Sequence, residues 1–243
     1  MSDDLKDYIS TTFGLENYDL DFDTIINFKL KEDCKMQESK YSCWADYFIP
    51  NTDVLKNIPN ICDKNELAEY EKNVSAKRMI ELYNSPIAGS LDSNHLFQIH
   101  GYLFQDVYPW AGQVRTVPMM KQTTFLDPTM INDYLNNFFE RANSDFSNVS
   151  NKFELAQFLA NLFYSLTYAH PFREGNGRTI REFIRQIVNY NDFEFGSFDI
   201  DYKKINMENV AYSMVCSTSM FIVSDFQNAL VEKGCVKVYK KEV

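Results

Sequence analysis

Glycine is scarce in this 243-residue chain, with eight in all, and histidine is scarcer, with three. Few places in such a chain are free to adopt backbone conformations that side-chain-bearing residues resist. A glycine cluster therefore calls for a local cause. Cysteine is also low and odd in number, five in total. No Cys-x-x-Cys pair occurs, which excludes a zinc knuckle or a dithiol redox motif; free thiols in a reducing compartment are the simple reading. Basic runs are missing. Lys and Arg number 24 against 34 Asp and Glu, a net charge of −10. A protein whose main task was holding DNA or RNA would carry a basic footprint, so nucleic acid is not an expected partner. The acidic balance reads as solubility. No apolar run is long enough to span a membrane. The opening Met-Ser-Asp-Asp-Leu-Lys-Asp is acidic with no apolar stretch behind it, unlike a Sec signal peptide. The expectation is a cytoplasmic protein, with export as a secreted effector by a signal-independent route left open.

What the chain has is apolar and aromatic mass, 45% hydrophobic and 15% aromatic residues, enough for a sizeable core in one domain. Residues 1–44 form an appendage rich in Asp, Lys and Thr, and residues 45–243 form the main body. Helical spacing and cap residues place helices at about 64–84 after Asp63, from Asp92 or Ser93 to about 104, from Asp127-Pro128 onward, and at about 151–169. The last of these carries apolar residues on more than one face, Phe153 and Leu159 among them, and is expected to be central. Helix resumes from Gly177 to Asn189, and two more segments follow near 205–221 and 223–232. Between 113 and 126 the pattern turns β-rich and hairpin-like. The expected fold class is all-α, a helical bundle with one small β-hairpin. No repeat or low-complexity tract appears.

Two of the eight glycines fall in one stretch, His170-Pro171-Phe172-Arg173-Glu174-Gly175-Asn176-Gly177-Arg178-Thr179-Ile180-Arg181. Asn176 between two glycines lets successive N–H groups converge on an anion. The nest opens a helix, where unpaired N–H groups and the dipole favour phosphate. Arg178 and Arg181 lie near the first turn and suit a di- or triphosphate. Glu174 beside a polyphosphate is repulsive unless a cation such as Mg²⁺ bridges them. His170, with an ordinary pKa of about 6.5, accepts a proton at neutral pH and is placed to deprotonate an attacking hydroxyl. Phe172 is expected to anchor the loop in the core. Taken singly, each feature has a plainer explanation: a helix-capping histidine, a turn, a solvated arginine face. Their coincidence within twelve residues favours one shared site. The P-loop, kinase and dinucleotide-binding glycine patterns are all missing.

This stretch resembles the signature of the Fic family, His-x-Phe-x-Asp/Glu-Gly-Asn-Gly-Arg-x-x-Arg, at every defined position. The resemblance extends through Phe104 to Arg115, which is similar to the lead-in of the Fic flap, and through Tyr47 to Asn57. It covers roughly residues 45–232. It implies a helical fold with a hairpin flap and transfer of AMP from ATP to a Ser, Thr or Tyr hydroxyl of a protein. By that resemblance His170 is the general base and Glu174 holds Mg²⁺. Gly175, Asn176, Gly177, Arg178 and Arg181 bind the nucleotide phosphates. The flap docks the target by strand addition, with Lys121, Thr123 and Thr124 as docking residues or simply as hairpin surface.

Many Fic proteins carry an inhibitory Ser/Thr-x-x-x-Glu-Gly/Asn helix whose glutamate engages the second motif arginine. Thr12-Phe13-Gly14-Leu15-Glu16-Asn17 matches it, although Gly14 costs a helix about 1 kcal/mol against Ala. The resemblance thus offers autoinhibition by Glu16, with a separate small antitoxin protein or no inhibitor as rivals. If Glu16 inhibits, Glu16→Gly raises self-modification with labelled ATP; an unchanged rate removes the idea. A transferase with another donor and a catalytically silent helical adaptor are the alternative functions.

Overall fold

The computed structural model describes residues 41–121 and 123–233. Within them the chain is helical, as its patterning requires. The first long helix, α1 (Lys64–Asn84), begins where expected because the Asp63 carboxylate accepts from the N–H groups of Asn65 and Glu66. Asp92 likewise caps α2 (Ser93–Phe104) through His95 N–H. Asp127 caps a short 3-10 turn, Pro128–Met130, that leads into α3 (Ile131–Ser147). Asn151 caps α4 (Lys152–Ala169) through Glu154 N–H. The motif follows as a bend, and α5 (Asn176–Tyr190) resumes directly after it.

Helix α4 is the central element. Leu155, Leu159, Leu162 and Leu166 have no exposed surface, and the helix packs against α3, α5, α6 (Met207–Val215) and α7 (Val223–Ala229). Each such leucine contributes about 1.5–3 kcal/mol of burial. Phe153, counted among the inward residues from spacing alone, is instead 48% exposed. It lies on the first turn of α4, beyond the reach of the packed neighbours. Helix α2 lies across α1, α3 and α5, which brings His100 and Phe104 beneath the motif.

The strands fall elsewhere than expected. The 113–126 segment turns back on itself, but among the described residues its pairing is a single antiparallel bridge, Met120 to Thr124, supported by Phe125 N–H donating to Met119 O at 3.1 Å. The regular two-stranded antiparallel sheet joins β1 (Phe198–Ile200) to β2 (Leu230–Glu232), with Phe198 opposite Glu232 and Ile200 opposite Leu230. Patterning predicts helix through residue 232; helix α7 ends at Ala229 because the next three residues pair with β1, thirty positions back in sequence.

Candidate active site

The motif is the link between α4 and α5, and each end has its own cause. His170 terminates α4 in a left-handed conformation, φ 43° and ψ 58°, while its N–H still bonds Leu166 O at 3.0 Å. This conformation is uncommon for a residue with a side chain. It turns the chain sharply and leaves the imidazole at the edge of a cleft. Phe172 is fully buried, as the sequence predicts. Asn176, also buried, braces the bend: its Oδ1 accepts from Phe172 N–H at 2.9 Å and its Nδ2 donates to Phe172 O at 2.7 Å. The Asn176 side chain is thus committed to the loop, and its backbone N–H is what it offers an anion. Gly175 takes φ 78° at the α5 N-cap. The first N–H groups of α5 have no acceptor within the helix, and the residues that carry them, Asn176, Gly177 and Arg178, line the cleft.

His100 is a site residue that sequence reasoning placed only inside α2. Its Nδ1 accepts from Gly112 N–H at 2.7 Å, which puts the proton on Nε2; that nitrogen donates to Glu174 O at 3.0 Å. Its ring stacks on Phe172, with centroids 3.7 Å apart. Burial pushes its pKa down to about 3 against the opposing pull of the Glu174 carbonyl, so it serves as a neutral brace holding the Glu174 backbone in place.

The cleft encloses about 890 Å³. His170, Glu174, Gly175, Asn176, Gly177, Arg178 and Arg181 all border it, together with Lys121 and Thr123 from the flap. Thr124 is exposed outside it, paired across the turn to Met120. Thr12 and Glu16 lie outside the described residues. Lys72 on α1 and Arg173 also border the cleft; nothing local in the sequence marks them. Among the described residues that line the cleft, five cationic side chains accompany one carboxylate, Glu174, in a protein of net charge −10. Among these, Arg178 pairs with Glu71 of α1, donates to Ser75 Oγ at 3.0 Å and lies over the Phe104 ring at 4.7 Å. Arg173 is covered by the rings of Trp44, Tyr47 and Phe48, with Trp44 nearest at 4.4 Å. Positive side chains gathered on one cleft suit a polyphosphate.

His170 itself is held neutral. Burial lowers its pKa to about 4; the Thr167 backbone opposes this, and the charges of Arg115 and Lys121 reinforce it. Its Nδ1 is buried without a well-formed hydrogen bond, so Nε2 is the nitrogen available to a substrate. The ring is fixed by Phe125, stacked on it with centroids 3.8 Å apart and planes 5° from parallel. Among the described residues no three His, Cys, Asp or Glu side chains converge on a common metal position. Among the described residues that line the cleft, Glu174 is the one carboxylate.

Comparison with known proteins agrees with this geometry. Residues 90–188 match the model of the Fic/DOC family. A probable protein adenylyltransferase, y4lH, of Sinorhizobium fredii is 34% identical over 158 residues, spanning 64% of this chain and 81% of the relative. The chain belongs to the Fic/DOC family. Protein adenylyltransferase VbhT of Bartonella schoenbuchensis is 32% identical to this Fic chain over 190 residues, spanning 77% of it and 38% of VbhT; the Fic chain thus corresponds to well under half of that longer relative. Among solved structures, the BepC protein of Bartonella tribocorum with bound AMPPNP superposes with a TM-score of 0.66 over 78% of this chain and 98% of its own, at 22% identity. The all-α fold with its hairpin-shaped flap is therefore a Fic fold.

Proposed function

We propose that this Fic protein transfers AMP from ATP to a Ser, Thr or Tyr hydroxyl of another protein, and that it can also modify itself. One observation carries the reading: a histidine held neutral stands across one cleft from a helix N-terminus ringed by cations. The names of the relatives, protein adenylyltransferases, and the ATP analogue bound to BepC support it.

In this reading the phosphates lie on the N–H groups of Asn176, Gly177 and Arg178, with Arg181 and Lys72 meeting their outer charge. His170 Nε2 takes the proton of the incoming hydroxyl as its oxygen bonds the α-phosphorus. The bond from that phosphorus to the bridging oxygen of the β-phosphate breaks, and pyrophosphate leaves. Glu174 would hold Mg²⁺, which supplies charge neutralisation on the phosphates. Positioning and charge do most of the work in phosphoryl-type transfer. The flap, with Lys121 and Thr123 at the cleft and Thr124 on its outer arm, would dock the target backbone alongside Met119–Phe125.

The test is incubation of the protein with Mg²⁺ and ATP labelled either at the α- or at the γ-phosphate, in a lysate of its own cells. Adenylyl transfer labels protein from the α-position only, with a mass gain of one AMP per site. Labelling from the γ-position would make the protein a kinase and overturn the reading; no protein-bound label from either would leave the adaptor alternative.

A further inference from the structure

Arg115 is 1% exposed, and among the described residues its guanidinium meets no carboxylate at ion-pair distance. It is spent on main-chain carbonyls. Nε donates to His170 O at 2.7 Å, and one terminal nitrogen to Val117 O at 2.6 Å. The other donates to Leu126 O at 2.5 Å and to Ala169 O at 3.3 Å. The Arg115 N–H adds a bond to Pro171 O at 2.8 Å, and Leu126 N–H bonds Tyr168 O at 3.1 Å.

These acceptors fall into two groups. Ala169 and His170 are the end of α4, where carbonyls lack helical partners and a cation is favourable. Val117 and Leu126 are the two feet of the flap. A single planar fork therefore ties both feet of the flap to the backbone of the residue that ends α4 in a left-handed turn. Phe125, adjacent to the Leu126 foot, is the residue stacked on the His170 ring. The chain of contacts closes: Arg115 holds Leu126, Leu126 sets Phe125, Phe125 covers the imidazole, and Arg115 also holds the imidazole's own carbonyl. Only a guanidinium presents donors in this pattern; a lysine ammonium, a point charge on a flexible stem, cannot span four acceptors on opposite sides.

We infer that Arg115 is a positioning residue that locks the flap and His170 into one rigid unit. It thereby keeps the base and the strand edge that presents the hydroxyl at a fixed separation. The inference rests on the reading of His170 as base and the flap as target dock. Its test is built to separate the two.

Arg115→Lys retains the charge and removes the fork. We expect it to bind a non-hydrolysable ATP analogue within about threefold of the parent while kcat for AMP transfer falls about 100-fold. We also expect the His170 imidazole pKa, followed by NMR on the isotope-labelled protein, to rise from about 4 toward the ordinary histidine value as water reaches the ring. Phe125→Leu leaves Arg115 untouched, keeps an apolar side chain, and should raise the same pKa. This second variant decides the matter if Arg115→Lys does not fold. An unmoved His170 pKa in Phe125→Leu, or in folded Arg115→Lys, overturns the inference, as does a kcat within threefold of the parent. If the parent transfers no AMP at all, the proposed function falls; the NMR titration then still decides the positioning.

Discussion

His170→Ala is expected to reduce AMP transfer by about 10³-fold or more while leaving nucleotide affinity within a few-fold of the parent. General base catalysis accounts for about 10²–10⁴ in rate, and among the described residues this imidazole is the base held neutral at the cleft. Affinity should persist because the proposed phosphate contacts belong to α5 and not to the ring. The parent's pH profile provides an independent check. As the proposed base, His170 must be neutral, and burial holds its pKa at about 4. In the free enzyme the acid limb of kcat/KM should therefore fall as the pH drops through about 4, leaving the rate flat between pH 5.5 and 7. An unperturbed histidine would already be losing activity near pH 6.5. A limb near 6.5, or transfer that survives the substitution, would remove His170 as the base. The same depression acts on stability. A group whose pKa is lower folded than unfolded favours the fold fully above its unfolded value, and the benefit is lost as the pH falls from about 6.5 through the folded value. His100, held at about 3 by burial, acts in the same direction. The protein should therefore lose stability in acid from pH 6.5 downward, measurable by denaturant titration at stepped pH.

Alanine at the two motif glycines should separate folding from binding. At Gly175 an added Cβ would lie 2.3 Å from the Phe104 ring, and φ is 78°. The ring cannot yield: Phe104 is fully buried, flanked by His100 at 4.8 Å and covered by the Arg178 guanidinium at 4.7 Å. Left-handed strain of about 1–2 kcal/mol and overpacking of about 1–3 kcal/mol together put Gly175→Ala at roughly 2–5 kcal/mol of lost stability. At Gly177 φ is not left-handed, and the nearest atom to an added Cβ is a terminal nitrogen of Arg181 at 3.7 Å. The fold has no need of glycine there. Gly177→Ala should leave stability unchanged or raise it by up to about 1 kcal/mol through helix propensity. Its methyl group would occupy the exposed space between the helix start and Arg181 where a phosphate would sit, and nucleotide affinity should fall about tenfold or more. Chemical denaturation and calorimetric titration with an ATP analogue measure the two effects. Equal destabilisation by both substitutions would show that Gly177 serves the fold and not the ligand.

Much of this was legible in residue order because it is local. Asp63, Asp92 and Asn151 each cap a helix by reaching two or three residues ahead, so the starts of α1, α2 and α4 follow from the chain alone. The motif compresses a histidine, a carboxylate, a glycine nest and three arginines into twelve residues, and it points to the Fic family to which the chain belongs. Side-chain fates within the motif were less legible. In the sequence Asn176 reads as part of an N–H nest and Arg178 as a side-chain ligand of phosphate. The structure gives Arg178 a carboxylate partner 107 residues away and turns the Asn176 amide back onto Phe172.

By itself the sequence determined the starts of α1, α2 and α4, most of the buried positions of α4 and the constellation from His170 to Arg181, because caps, periodicity and glycine conformation act over a few residues. Tertiary structure alone decided that His100 braces Glu174, that Lys72 and Arg173 join the cleft, that Phe125 covers His170, and that Arg115 fastens the flap to the base. It also decided that residues 230–232 leave the helix to pair with 198–200. These arrangements satisfy buried carbonyls, charges and rings with partners distant in sequence, and no local pattern encodes which distant group will be there to meet them.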